Sequence, residues 1–182
     1  SMIKVLTLIS FLLVASSAFI LYLESAYLKT AAKTDNITFF YLGAYTLALI
    51  LICNWHRLIR IFGKANVFLF SIAFKIIIVS YLAFSPVNYA SAWMLALYMT
   101  LATLAWIDLD ILLESFSKDK LTGGIRGFYL AVVSAGYLFS QFFSGTLVDR
   151  YGFQASIKAS LLFLTVILII TLVKVRKIPF KN

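Results

Sequence analysis

The chain has 182 residues, of which 63% are hydrophobic and 13% charged, against about 45–50% apolar and about 25% charged in a typical soluble domain. Together with a mean hydropathy of +0.99, this excludes water as the main solvent and leaves no soluble domain of useful size. The net charge of +9 does not imply a nucleic-acid partner, because the basic residues stand between apolar runs instead of clustering on a polar face.

Ser1-Met2 is read as an expression scar followed by a start methionine. Crossing a hydrocarbon core of about 30 Å takes about 20 helical residues. Taken in chain order, six stretches qualify: 5–28, 37–55, 65–84, 89–113, 125–147 and 153–173. The first is followed by Glu24 and Lys29 with no small-residue cleavage site, so it is expected to be retained and not to act as a signal peptide. The connections are short and polar, and Gly63 and Pro86 punctuate two of them. The expectation is an all-α membrane protein, a single transmembrane domain over residues 1–182.

Basic residues in short loops stay on the cytoplasmic side. Lys4, Arg57, Arg60, Lys64, Lys118, Lys120, Arg126, Lys174, Arg176, Lys177 and Lys181 fall on one side, and only Lys29, Lys33, Arg150 and Lys158 on the other. Both termini are therefore expected in the cytoplasm, in a prokaryotic inner membrane. The Asn36-Ile37-Thr38 tripeptide would lie outside, but so short a pattern arises readily by chance. A lone cysteine, Cys53, and a lone histidine, His56, give neither a disulfide nor a zinc pattern, so no metal and no cofactor is expected.

Two loops echo each other. RIFGKANV (60–67) and DRYGFQAS (149–156) each end one helix, place an aromatic-glycine pair at the turn and open the next helix. They occupy equivalent places in spans 1–3 and 4–6. With an odd number of helices per unit, the units would be inverted repeats.

The run TGGIRGFYLAVVSAGYLFSQFFSGTLVDRYGF (122–153) is similar to the fourth loop and fifth helix of the major facilitator superfamily, and GTLVDRYG (145–152) resembles that family's G-x-L-x-D-R-x-G signature. The family carries that signature between its second and third helices, whereas this copy lies between the fifth and sixth. In the expected place stands HRLIRIFGK (56–64), with Arg60 where the acid belongs and His56 where the first glycine belongs. The gating role of that acid is therefore not carried over. The resemblance implies one six-helix half of a twelve-helix plan: a half-size protein that pairs with itself, a fragment, or a half that needs a different partner half. It further implies a small-molecule transporter working by alternating access. Small-residue ridges at Gly127, Ala131 and Ala135, at Gly136, Ser140 and Ser144, and at Gly43, Ala44 and Ala48 suit either pairing between halves or packing within one.

Charges in a bilayer core cost roughly 2.5–3.5 kcal/mol each and mark pathways or pairs. Lys75, in mid-span, and Glu24 and Asp108, toward the outer and inner faces, are the candidates for substrate or proton coupling; Lys75 is expected to lean toward one of the two acids, and a purely structural ion pair is the alternative. Tyr22, Tyr45, Trp106, Tyr137 and Gln141 are candidate cavity-lining residues. Asp110 and Glu114, one turn apart, are expected to latch a cytoplasmic gate against Arg57, Arg60 or Arg126. No G-x-S-x-G or H-E-x-x-H pattern is present, so an enzyme is not expected. The loops are too short for a channel filter. A non-transporting membrane scaffold remains the alternative to a proton-coupled transporter of a lipophilic or amphipathic small molecule.

Overall fold

The computed structural model describes residues 2–115 and 122–175. Lys118, Lys120, Arg176, Lys177 and Lys181, used above to orient the chain, lie outside them. The described residues are helical almost throughout: α1 (Met2–Leu21), α2 (Glu24–Ala32), α3 (Thr38–Phe62), α4 (Lys64–Phe84), α5 (Tyr89–Glu114), α6 (Thr122–Tyr151) and α7 (Phe153–Ile170), which runs on into a π-helical turn, Thr171–Val175. Six stretches are long and apolar enough to cross a membrane: Ile3–Leu21, Thr38–Phe62, Lys64–Phe84, Tyr89–Glu114, Arg126–Tyr151 and Phe153–Val175. This is the build of an integral membrane protein, because helices satisfy their own backbone polar groups where no water can.

The first expected span differs from what forms. Instead of one helix over 5–28, α1 stops at Leu21 and α2 restarts at Glu24. The backbone stays bonded across the break, with the Leu23 amide donating to the Ile20 carbonyl at 3.0 Å and the Tyr27 amide to the Leu23 carbonyl at 2.8 Å. This local tightening lets α2 lie against α5 and buries Glu24 and Tyr27.

The two aromatic-glycine turns take the same form. Gly63 alone separates α3 from α4, and Gly152 alone separates α6 from α7; their φ values are 83° and 81°. A positive φ is open to glycine at little cost. In each turn the glycine amide closes the preceding helix, onto the Ile59 carbonyl at 2.8 Å and the Val148 carbonyl at 2.9 Å. Lys64, at the start of α4, donates to Ser115 after α5 at 2.9 Å, whereas Gln154, at the start of α7, donates to the Ser85 carbonyl after α4 at 3.1 Å. The two turns thus lie at opposite ends of α4.

The bundle is held through α1, α4, α5 and α7: α1 packs on α6 and α7, α4 on α5 and α7, and α3 on α5, with slighter contacts of α3 to α4, α6 to α7 and α1 to α5. The peripheral α3 and α6 are the least covered spans. The small-residue ridges divide between two uses. Ala44 and Ala48 are buried, and Thr100 on α5 donates to the Ala44 carbonyl at 2.8 Å. Ser140 on α6 donates to the Ala15 carbonyl of α1 at 3.0 Å. A Cβ on Gly136 would stand 3.1 Å from Val14 and 3.2 Å from the Phe11 carbonyl, while one on Gly127 would meet nothing within 4 Å. The Gly136 ridge therefore packs within the bundle, and the Gly127, Ala131 and Ala135 ridge is exposed.

Gly136→Val should force α1 and α6 apart and cost about 1–3 kcal/mol, the range for overpacking. Gly127→Ala should be neutral or stabilising by up to about 1 kcal/mol, because alanine is the better helix former. Thermal unfolding of the detergent-solubilised protein reads both, and an equal effect of the two changes would contradict the assignment of the ridges.

Candidate functional site

The six apolar spans bring ionisable side chains into places where each must be satisfied from within. On α4 the buried stripe recurs every three or four residues through Phe68, Ser71, Ile72, Lys75, Ile78, Val79 and Leu82, the period of one helix face. Ser71 and Lys75 therefore point into the bundle one turn apart. Asp108 on α5, 2% exposed, accepts the indole N–H of Trp55 on its Oδ1 and the hydroxyl of Ser71 on its Oδ2 at 3.0 Å. One carboxyl thus joins α3, α4 and α5. An apolar groove of about 380 Å³, lined by Leu51, Leu58, Phe70 and Leu104, runs against the same Trp55 and Ser71. Sequence reasoning found Asp108 but missed Trp55 and Ser71; a tryptophan 53 positions away carries no local signal of the contact.

Lys75 is fully buried. Its ammonium has no hydrogen-bond partner among the described residues and lies over the Tyr98 ring, 5.2 Å from the centroid. The expected lean toward Glu24 or Asp108 does not close into an ion pair. Tyr98, likewise fully buried, was not anticipated, and neither were Ser17 and Ser160, which flank its hydroxyl.

Toward the other end, α2 presents Glu24, 8% exposed, within electrostatic range of Tyr41 and Tyr45 on α3. It makes no hydrogen bond or ion pair among the described residues. Two residues earlier, the Tyr22 hydroxyl lies against Gly145 of α6, 3.3 Å from where a Cβ would stand. The segment from Tyr22 to Glu24 therefore bridges the space between α6 and α3. Tyr22, Tyr45 and Gln141 are exposed in the isolated chain.

The remaining candidates divide. Trp106, Asp110, Arg126 and Tyr137 share one cleft of about 360 Å³ between α5 and α6 with Tyr129, Leu130 and Val133. The buried Tyr129 stands beside Asp110 and Arg126, so this cleft unites two expected cavity residues with two expected gate residues. Of the three arginines expected against Asp110 and Glu114, Arg126 shares the cleft with Asp110, whereas Arg57 and Arg60 are exposed at the end of α3 and no ion pair joins either of them to Asp110 among the described residues. Glu114 is exposed at the end of α5. No cluster of metal-ligating side chains occurs among the described residues. Comparison of the chain with family models, curated proteins and solved structures finds no match.

Stranding a buried donor or acceptor costs about 1–3 kcal/mol. Trp55→Phe and Ser71→Ala should each lower the unfolding free energy in mixed micelles by that order, and because both act on Asp108 their effects should not add. Strict additivity of the two changes would show that the carboxyl does not couple the three helices.

Proposed function

We propose that this chain is a six-helix half of a secondary transporter on the plan of the major facilitator superfamily. In this reading it pairs with a second copy and moves a small amphipathic molecule across the cytoplasmic membrane by proton-coupled alternating access, with both termini in the cytoplasm. The observation that carries the reading is Glu24, a nearly buried carboxyl without a bonded partner among the described residues, at the head of an aromatic-lined face between the two least covered helices, α3 and α6. A carboxyl placed this way can take and release a proton as the face opens to one side and then the other. Tyr22, Tyr41 and Tyr45 supply stacking and hydrogen-bonding surface beside Glu24, and the cleft of Trp106, Asp110, Arg126, Tyr129 and Tyr137 supplies more between α5 and α6.

The pairing of helices supports an inverted repeat. Exchanging spans 1, 2 and 3 for 4, 5 and 6 turns the α1–α6 contact into α5–α3, α1–α7 into α5–α4, and α3–α4 into α6–α7, while α4–α7 and α1–α5 map onto themselves. The matched glycine turns at opposite ends of α4 obey the same exchange. A half built this way leaves one side of its pathway open, and a two-fold copy closes it with true symmetry. Asp108 is the second coupling candidate, but both its oxygens already accept hydrogen bonds. That assigns it first to holding α3, α4 and α5 together and leaves the proton to Glu24.

The test is ethidium flux driven by a pH gradient in proteoliposomes, with the mass of the detergent-solubilised particle measured in parallel. Wild type should drive flux as a dimer. Glu24→Gln should abolish gradient-driven flux yet keep dimer mass and thermal stability, and Asp108→Asn should lose stability along with flux. A monomer without flux would favour the membrane-scaffold reading instead.

A further inference from the structure

Hydroxyl groups inside this bundle follow a rule. Ser10, Ser16, Thr103 and Thr171 each donate to a carbonyl one turn back on their own helix, at 2.7–3.1 Å. Ser140, Ser156 and Thr100 donate across to a neighbouring helix. Ser17 on α1 and Ser160 on α7 do neither, although their oxygens are fully buried. Both flank the Tyr98 hydroxyl within interaction range, but no hydrogen bond of normal length and angle joins the three among the described residues. The fourth member of the group is Lys75, over the Tyr98 ring and unbonded. Four orphaned polar groups from α1, α4, α5 and α7 thus converge in one place, in a fold that otherwise wastes few of them.

The ammonium offers donors only, and the phenol and the two serine hydroxyls, whose local carbonyls are not engaged, can each donate one more. The ring face attracts the ammonium but brings no counter-charge, and a buried charge is retained only when compensated. The acids in the bundle do not pair with it: Asp108 is occupied by Trp55 and Ser71, and Glu24, within electrostatic range of Tyr98, makes no ion pair among the described residues. Water would satisfy the hydroxyls without balancing the charge. We propose that Ser17, Lys75, Tyr98 and Ser160 form a built binding site for a small monovalent anion, a halide or the carboxylate of a short acid, held at the centre of the bundle. Tyr98 lies within electrostatic range of Glu24, but the site uses none of the groups assigned to proton coupling and does not depend on that reading.

The experiment uses the full chain purified in detergent, with gluconate as the only anion. Chloride, acetate or octanoate is titrated in at constant ionic strength and pH while thermal unfolding is followed. Ligand binding to the folded state should raise Tm by about 5 °C near saturation. An equal response to chloride and acetate identifies a free-ion site. A response confined to carboxylates and growing from acetate to octanoate identifies the head of an amphiphile, and both support the assignment. Lys75→Met replaces the charge by an apolar chain of similar shape, a change that buried charges often tolerate; it should fold and lose the response entirely. Ser17→Ala combined with Ser160→Ala should keep the response but need about tenfold more anion, the equivalent of losing about 1.4 kcal/mol. A Tm that no anion moves would overturn the proposal, as would a Lys75→Met protein that responds like wild type. Should that variant not accumulate, Tyr98→Phe with Ser17→Ala makes the same comparison.

Discussion

A span through hydrocarbon has no water to fall back on, so each polar atom within it must find its partner in the chain itself. This constraint organises the whole bundle. It makes every crossing helical, turns serines and threonines back onto carbonyls, and converts a few of them into ties between helices. Thr100 holds α5 to α3 and Ser140 holds α6 to α1, so the two peripheral helices are attached by the same chemistry, a hydroxyl reaching a neighbouring backbone carbonyl. Since lipid gives little hydrophobic drive for helix to leave lipid and join helix, such ties and the close approach of small residues carry the association.

The same constraint ranks the charged residues. Asp108 is fully engaged, its two oxygens taken by donors on two other helices. Among the described residues, Glu24 is buried without a bonded partner beside an aromatic face, and Lys75 is buried over a ring without a hydrogen-bond partner. Engagement supports a structural role, and its lack supports the proposals made for the other two. Proton coupling is accordingly proposed at Glu24 and anion binding at Lys75. Removing water from around a charge is costly, and a fold that bears the cost without internal compensation has to recover it from a ligand or a proton.

Six spans, their limits to within a few residues at most ends, and the turns at Gly63 and Gly152 were legible in the residues alone. Span length and hydropathy are properties of a local stretch in a uniform solvent, and a turn needing positive φ announces itself by glycine. The break between Leu21 and Glu24 was not legible: no proline or glycine marks it, and the bend is stabilised by α2 lying on α5. Glu24, Lys75 and Asp108 stood out because an ionisable group in an apolar run is conspicuous. Their partners did not, because Trp55, Ser71, Tyr98, Ser17 and Ser160 are ordinary residues for a membrane helix.

By itself the sequence determined the solvent, the number of crossings and the positions where charge would be buried, because each depends on the composition of a short stretch. Only the tertiary structure decided which charges are satisfied. It alone separated the Gly136 ridge, packed on Val14, from the exposed Gly127 ridge. It also set Asp110 and Arg126, rather than Arg57 or Arg60, in one cleft with Trp106 and Tyr137. The reason is geometric: one apolar helix face is much like another in sequence, and the partner of a buried polar group is chosen by the rotation and depth of a neighbour many residues away.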